Sequence, residues 1–107
     1  MRKAMLLGLL FLMGCGGGSG ATCPTGSTLT YENFGRAFFA SYCDRCHGSR
    51  TAPVMNSLAT IRANSTAIDA EAAAGASATN TAMPEGTPAP TTAERQRLGE
   101  WLACGAR

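Results

Sequence analysis

The pentapeptide Cys43-Asp44-Arg45-Cys46-His47 decides how this sequence is interpreted. It contains two of the five cysteines and the only histidine in a chain of 107 residues. Two thiols and an imidazole this close together can bind a metal ion, exchange disulfides or hold a covalent cofactor. The residues on either side distinguish these possibilities, because each of the three requires different partners.

Cys-x-x-Cys followed by His is the motif that attaches a c-type haem. Two thiolates add to the vinyl groups on one edge of the porphyrin, and the adjacent imidazole then lies under the ring, where it can bind iron. A thioredoxin-like redox pair would need a βαβ framework, which the sequence does not show. A zinc site would need a fourth ligand, Cys23 or Cys104, and would leave the other without a partner. We therefore predict one covalent haem c on Cys43, Cys46 and His47.

The N-terminal residues are typical of an exported lipoprotein. A basic start is followed by an apolar run from Met5 to Met13 that is too short to span a bilayer permanently. Leu12-Met13-Gly14-Cys15 resembles a bacterial lipobox, in which the signal is cut before the cysteine and that cysteine is acylated. We predict a lipoprotein signal peptide over residues 1–14, with a plain secretory signal cut within residues 16–21 as the alternative.

Export also accounts for the remaining cysteines and for the charge. An oxidising compartment would pair Cys23 with Cys104, although two free thiols stay open as the alternative. Removing Arg2 and Lys3 with the signal leaves equal numbers of basic and acidic side chains and no lysine. Without a basic surface, nucleic acid is not expected as a partner.

The mature chain is predicted to have two parts. Residues 15–29 are the lipidated Cys15 and a flexible tether, because the Gly16–Gly20 stretch is costly to order and offers nothing to bury. Residues 30–107 are a haem domain that faces the periplasm, with the outer membrane favoured over the inner one. We expect a monomer that is held at the membrane by its N-terminal lipid.

Hydrophobic periodicity predicts an all-α fold of three to five short helices. Thr30 can cap the first helix, and Thr91 with Glu94 forms a capping box for the last, which Gly105 ends. The large apolar side chains are few for a domain of this size, so a buried macrocycle, two thioether bonds and a disulfide would supply the missing stability. We expect helices over 31–42, 54–63 and 67–74, the third with Thr66 as its cap and Gly75 as its stop, then a proline-rich loop over 76–91 and a last helix that follows the Thr91 cap.

The distal iron ligand is predicted by elimination. His47 is the only histidine and the mature chain has no lysine, so Met55 and Met83 are the candidates. Met55 begins a predicted helix close to His47 and is expected to be a packing residue. Met83 lies in the long loop, beside the stiff Pro84, and is the expected ligand. An exposed Met83 with a five-coordinate iron is the alternative.

The chain resembles a class I c-type cytochrome domain of the short bacterial kind. Gly35 and Phe39 match the glycine and aromatic residue of the family's first helix, and Leu98 and Trp101 match the motif of its last helix. The resemblance implies a cytochrome c-like bundle in which these helices cross with Gly35 under the last one, and these four residues pack around the haem. It also implies that Met83-Pro84 is the distal pair. The family's proline after the motif, whose carbonyl accepts from the ligating histidine, matches Pro53.

These features predict an electron carrier, not an enzyme, that docks transiently on unidentified redox proteins. Two other classes stay open. A peroxidase-like haem enzyme or sensor would need an open distal position on the iron. A structural lipoprotein would use the motif for zinc or for nothing. The carboxylates show no pairing that suggests a substrate site.

Overall fold

The computed structural model describes residues 17–107, so the predicted signal peptide and Cys15 lie outside the described residues. Within that range there is no β-strand, only one isolated bridge between Ala74 and Thr79. The prediction of an all-α fold with three to five short helices is therefore confirmed. The five α-helices are α1 (Arg36–Tyr42), α2 (Asp44–His47), α3 (Leu58–Ala63), α4 (Ser65–Ala72) and α5 (Thr92–Ala103).

The first helical segment begins where the sequence predicts. The Thr30 hydroxyl accepts a hydrogen bond from the Asn33 amide (3.1 Å), and the Asn33 side-chain oxygen accepts one from the Thr30 amide (2.8 Å). This capping box starts a π-helical turn over Tyr31–Gly35 that runs directly into α1. The predicted helix over 31–42 is confirmed, with a wider first turn than an ordinary α-helix has.

The predicted helix over 54–63 is wrong in its first turn. Ser57 has extended backbone, and its hydroxyl accepts a hydrogen bond from the Thr60 amide (3.2 Å). Because this cap fixes the first turn, α3 begins at Leu58, and residues 54–57 stay outside any helix. Met55 is therefore a loop residue and does not begin a helix.

The third predicted helix is displaced. It was expected over 67–74 with Thr66 as its cap, but α4 begins and ends two residues earlier, so Thr66 lies inside it. Ala73 already has extended backbone, and its carbonyl accepts a hydrogen bond from the Asn80 amide (2.9 Å). Pairing with the following loop thus ends the helix before Gly75, the residue expected to stop it.

The core lies between the first helical segment and α5. Trp101 and Leu98 of α5 are fully buried, and the first segment contributes three aromatic side chains that are each at least nine-tenths buried: Phe34, Phe38 and Phe39. The Trp101 indole meets two of these rings edge-on, at centroid distances of 6.0 and 6.4 Å. α5 follows the predicted Thr91–Glu94 capping box, which the structure confirms.

The glycine-rich N-terminal segment is not a free tether over residues 17–21. Ser19 is fully buried, and its amide and hydroxyl both donate to the Asp69 carboxylate of α4, at 2.8 and 2.6 Å. The Asn80 side chain donates to the Gly17 carbonyl (2.9 Å). These bonds satisfy polar groups that a free chain would leave to water, so the segment packs as part of the domain.

A disulfide bond joins Cys23 to Cys104, whose Cα atoms lie 4.8 Å apart. Cys104 directly follows α5, so the bond links the N-terminal segment to the end of the last helix. Within residues 17–107, no helix has the length and apolar character needed to cross a membrane.

Candidate functional site

The Cys43–His47 motif folds into a single helical turn. The Cys43 carbonyl accepts hydrogen bonds from the Cys46 amide (3.2 Å) and from the His47 amide (2.9 Å), so Cys43 is the N-cap of α2. Positions three and four residues apart share one face of a helix. Cys43 and His47, four residues apart, both line the cavity described next, and Cys46 does not.

A largely apolar cavity lies beside this turn. It encloses about 580 Å³ of space, a figure that includes its open mouth. Its walls come from α1, α2 and α4, from the loop between α2 and α3, and from the loop between α4 and α5. The lining residues are Phe39, Tyr42, Cys43, His47, Pro53, Met55, Asn64, Ala67, Ile68, Glu71, Ala72, Met83 and Pro84.

The His47 ring is held in one tautomer by backbone carbonyls. Its Nδ1 atom lies 2.9 Å from the Pro53 carbonyl oxygen and 3.1 Å from that of Thr51. A carbonyl oxygen can only accept, so Nδ1 carries a proton, and in the neutral ring the lone pair is on Nε2. The arrangement is that of a metal-ligating histidine oriented by a backbone acceptor.

The thiols are not arranged for disulfide exchange. Cys43 and Cys46 form no disulfide within residues 17–107. Burial raises the pKa of the Cys43 thiol to about 12, with the Asp44 carboxylate adding to the effect. Exchange requires a thiolate, and active pairs have a lowered pKa, so the thioredoxin-like alternative fits poorly.

The donors for a zinc site are not grouped in the described part of the chain. Residues 17–107 contain no cluster of three or more His, Cys, Asp or Glu side chains that could hold a metal ion. Cys23 and Cys104, the proposed sources of a fourth ligand, are bonded to each other. Haem makes a lesser demand on the protein, because the porphyrin itself supplies four of the iron ligands.

Both methionines within residues 17–107 reach the cavity, in different ways. Met55 is buried, and its amide donates to the His47 carbonyl at 2.7 Å, so its backbone is tied to that of the histidine. Met83 is half-buried and comes from the loop that follows α4, with its amide bonded to the Glu71 carbonyl (2.9 Å). Met55 therefore belongs to the same part of the wall as His47, and Met83 approaches from a separate element.

The four residues expected to pack around a haem divide into two groups. Phe39 lines the cavity. Gly35, Leu98 and Trp101 do not line it, and lie in the core where α5 meets the first helical segment. A Cβ atom at Gly35 would stand 2.6 Å from two atoms of the Trp101 ring, so the glycine permits this close approach. Cys46 is half-buried and is also not among the lining residues.

Arg95 is a residue that the sequence interpretation missed. It lies on α5, is only 4 % exposed, and one of its terminal nitrogens is within 3.0 Å of the carbonyl oxygens of Ala72, Asn80 and Met83. A signal was present, because Arg95 is three residues before Leu98 and shares its buried face. An arginine on an apolar face requires buried acceptors, and these are the backbone of the loop that carries Met83.

Comparison of the chain with protein-family models, with curated proteins and with solved structures finds no match.

Proposed function

We propose that this chain binds one haem c through Cys43, Cys46 and His47 and acts as a single-electron carrier with a cytochrome c-like bundle. The observation that carries the proposal is that Cys43, His47 and Met83 line one apolar cavity, with His47 Nδ1 bonded to the Pro53 carbonyl. Attachment thiol, oriented imidazole and thioether donor are the groups that a His/Met-ligated haem requires.

The residues present fit such a group. The cavity walls are mostly carbon, which suits a porphyrin, and the His47 lone pair on Nε2 is free of the carbonyls that hold Nδ1. Met83 would be the better second donor to the group, because it comes from a separate element, whereas Met55 is tied to the His47 backbone.

Haem c, when bound, supplies a one-electron couple between ferrous and ferric iron. Cys43 and Cys46 would fix its edge, and His47 would keep one orientation through its carbonyl partners. Phe39, Ile68 and Ala72 are buried apolar residues of the cavity wall and would limit the water around the group. A thioether donor and a dry environment both favour the ferrous state, so this set of residues suits a carrier of comparatively high potential.

The anchored location is part of the same proposal. The lipobox at Cys15 lies outside the described residues, so its support is the sequence alone. An acylated Cys15 would hold the domain at a periplasm-facing membrane surface, where it would meet redox proteins that are themselves membrane-bound.

Redox titration of the purified protein, made in a host that matures c-type haem, tests the proposed function. A carrier should show one reversible one-electron wave, and its ferrous form should bind carbon monoxide weakly because the iron is saturated. Rapid carbon monoxide binding and turnover of peroxide would instead establish the enzyme or sensor class. A colourless protein that purifies with zinc would establish the structural class.

A further inference from the structure

The loop between α4 and α5 is attached to the domain by a buried cation. This loop has no helix, and it carries Met83. The guanidinium of Arg95 donates to the Met83 carbonyl at 2.7 Å and to the Ala72 and Asn80 carbonyls at 3.0 Å. The Arg95 carbonyl also accepts from the Ala74 amide at 3.0 Å. One residue of α5 therefore contacts the loop at its start and at its methionine.

Burying the Arg95 cation costs free energy, so we expect its hydrogen bonds to serve the position of the loop. Within residues 17–107, Arg95 makes no ion pair, so only carbonyl dipoles compensate its buried charge. Burial lowers the pKa of Arg95, as expected for a cation without a carboxylate partner. Arg97 is two residues further along α5. Its side chain is exposed and lies over the Phe34 ring, 5.2 Å from the ring centroid, rather than on the loop.

We propose that Arg95 is the positioning residue for Met83, and that it holds the thioether in place at the wall of the cavity that His47 also lines. The inference rests on the proposed function, because a distal ligand has meaning only with iron present. Arg95 does not line the cavity, and each hydrogen bond of its side chain runs to a backbone carbonyl of α4 or of the loop. Its removal should therefore loosen the methionine without affecting haem attachment at Cys43 and Cys46.

Imidazole binding to the ferric protein measures how firmly Met83 is held, since imidazole must displace the thioether to bind. Arg95→Gln should raise the imidazole affinity about tenfold or more, because a charge-assisted hydrogen bond to the loop is lost. The same substitution should also weaken the near-infrared absorption band that arises from the bond between the methionine sulfur and ferric iron, and it should lower the reduction potential of the haem. Arg95→Lys keeps the charge but not the planar set of donors, so its imidazole affinity should lie between that of the wild type and that of Arg95→Gln. Arg97→Gln is the matched control and should behave as the wild type.

A second background separates positioning from general stability. In Met83→Ala protein, Arg95→Gln should change the imidazole affinity less than twofold, because no thioether is left to hold. An equal rise in both backgrounds would overturn the proposal, and so would a folded Arg95→Gln protein with wild-type band and affinity. If Arg95→Gln and Arg95→Lys both fail to fold while Arg97→Gln folds, the residue supports the whole domain and the proposal is wrong. A wild-type protein without covalent haem would instead refute the proposed function.

Discussion

Two methionines reach the same cavity, and single substitutions distinguish their roles. Met83→Ala should abolish the near-infrared sulfur-to-iron band, lower the potential and open the ferrous iron to carbon monoxide. Met55→Ala is the matched control: it should keep the band, because its backbone is tied to the His47 side of the cavity. Near-infrared absorption and carbon monoxide titration of both variants provide the measurement. Loss of the band in Met55→Ala alone would show that the ligand assignment is reversed.

Gly35 tests the packing of the first helical segment against α5. Gly35→Ala would place a methyl group 2.6 Å from the Trp101 ring, so the free energy of unfolding should fall by about 1–3 kcal/mol. Trp101→Phe removes the ring atoms that clash. In that background the same substitution should be much less harmful, since alanine favours helix over glycine by about 1 kcal/mol. Equal losses in the two backgrounds, measured by denaturant unfolding, would contradict this account of the contact.

Residue-level prediction succeeds where a side chain acts through its immediate neighbours. The caps at Thr30 and Thr91 follow from spacing alone, because their partners lie three residues away. Arg95 and Ser19 were missed because their partners are distant in sequence: Ser19 is 50 residues from Asp69. No local pattern identifies such partners, although a buried-face arginine indicates that they must exist.

The start of α5 contains a carboxylate whose ionisation stabilises the element. A hydrogen bond from the Thr91 amide lowers the pKa of Glu94 from its ordinary 4.5, and the Tyr42 hydroxyl and Arg97 act in the same direction. A lowered pKa means that the stabilisation is present above about pH 4.5 and is lost as the pH falls through the folded-state value. Unfolding measured between pH 3 and 7 should show this loss in the wild type (roughly the range over which a capping carboxylate titrates).

Glu94→Gln provides the comparison. The variant should be less stable than the wild type near neutral pH by roughly 0.3–1 kcal/mol, the usual contribution of a charge at a helix N-terminus, since glutamine can still form the capping box. The difference in stability should shrink as the pH is lowered, since the Glu94 carboxyl of the wild type is then neutral in both the folded and the unfolded protein. Glu85→Gln, in the exposed loop, is the control and should change little. A constant difference at all pH values would show that charge has no part in the cap.

Element boundaries were predicted well only where a cap and a periodic apolar face agree. α5 has both, and its predicted start is confirmed. α3 and α4 are short and have few large side chains, so their ends are set by Ser57 and by the backbone pairing of Ala73 with Asn80. Contacts within the folded chain select these ends from several polar residues that could each cap a helix, and helix propensity alone does not rank those residues.

At the scale of the whole molecule, the disulfide closes a long loop. Cys23 and Cys104 are 81 residues apart in sequence, so their bond restricts the unfolded chain strongly. Replacing both by serine should lower the free energy of unfolding by about 2–4 kcal/mol. Reduction of the wild type should give the same loss, which thermal unfolding with and without reductant measures. Equal melting temperatures in both conditions would mean that the bond adds no stability.

The whole fold is also the scale at which sequence interpretation is least complete. The all-α class follows from periodicity, but the docking of residues 17–21 onto α4 does not, because a glycine-rich stretch reads as a linker until its partner is known. With the segment packed, a lipid on Cys15 would hold the domain close to the membrane surface. The apolar cavity follows more directly from the sequence, because a domain with few large apolar side chains leaves space that they do not fill.

The intact mass of the fully denatured protein, after acid–acetone treatment, tests the central claim most directly. The account predicts a mass increased by one haem in the wild type, a brown band that survives denaturing electrophoresis, and neither feature in the protein with both Cys43→Ser and Cys46→Ser. A wild-type polypeptide of unmodified mass, expressed beside a functioning c-haem maturation system that loads a control cytochrome, would contradict it.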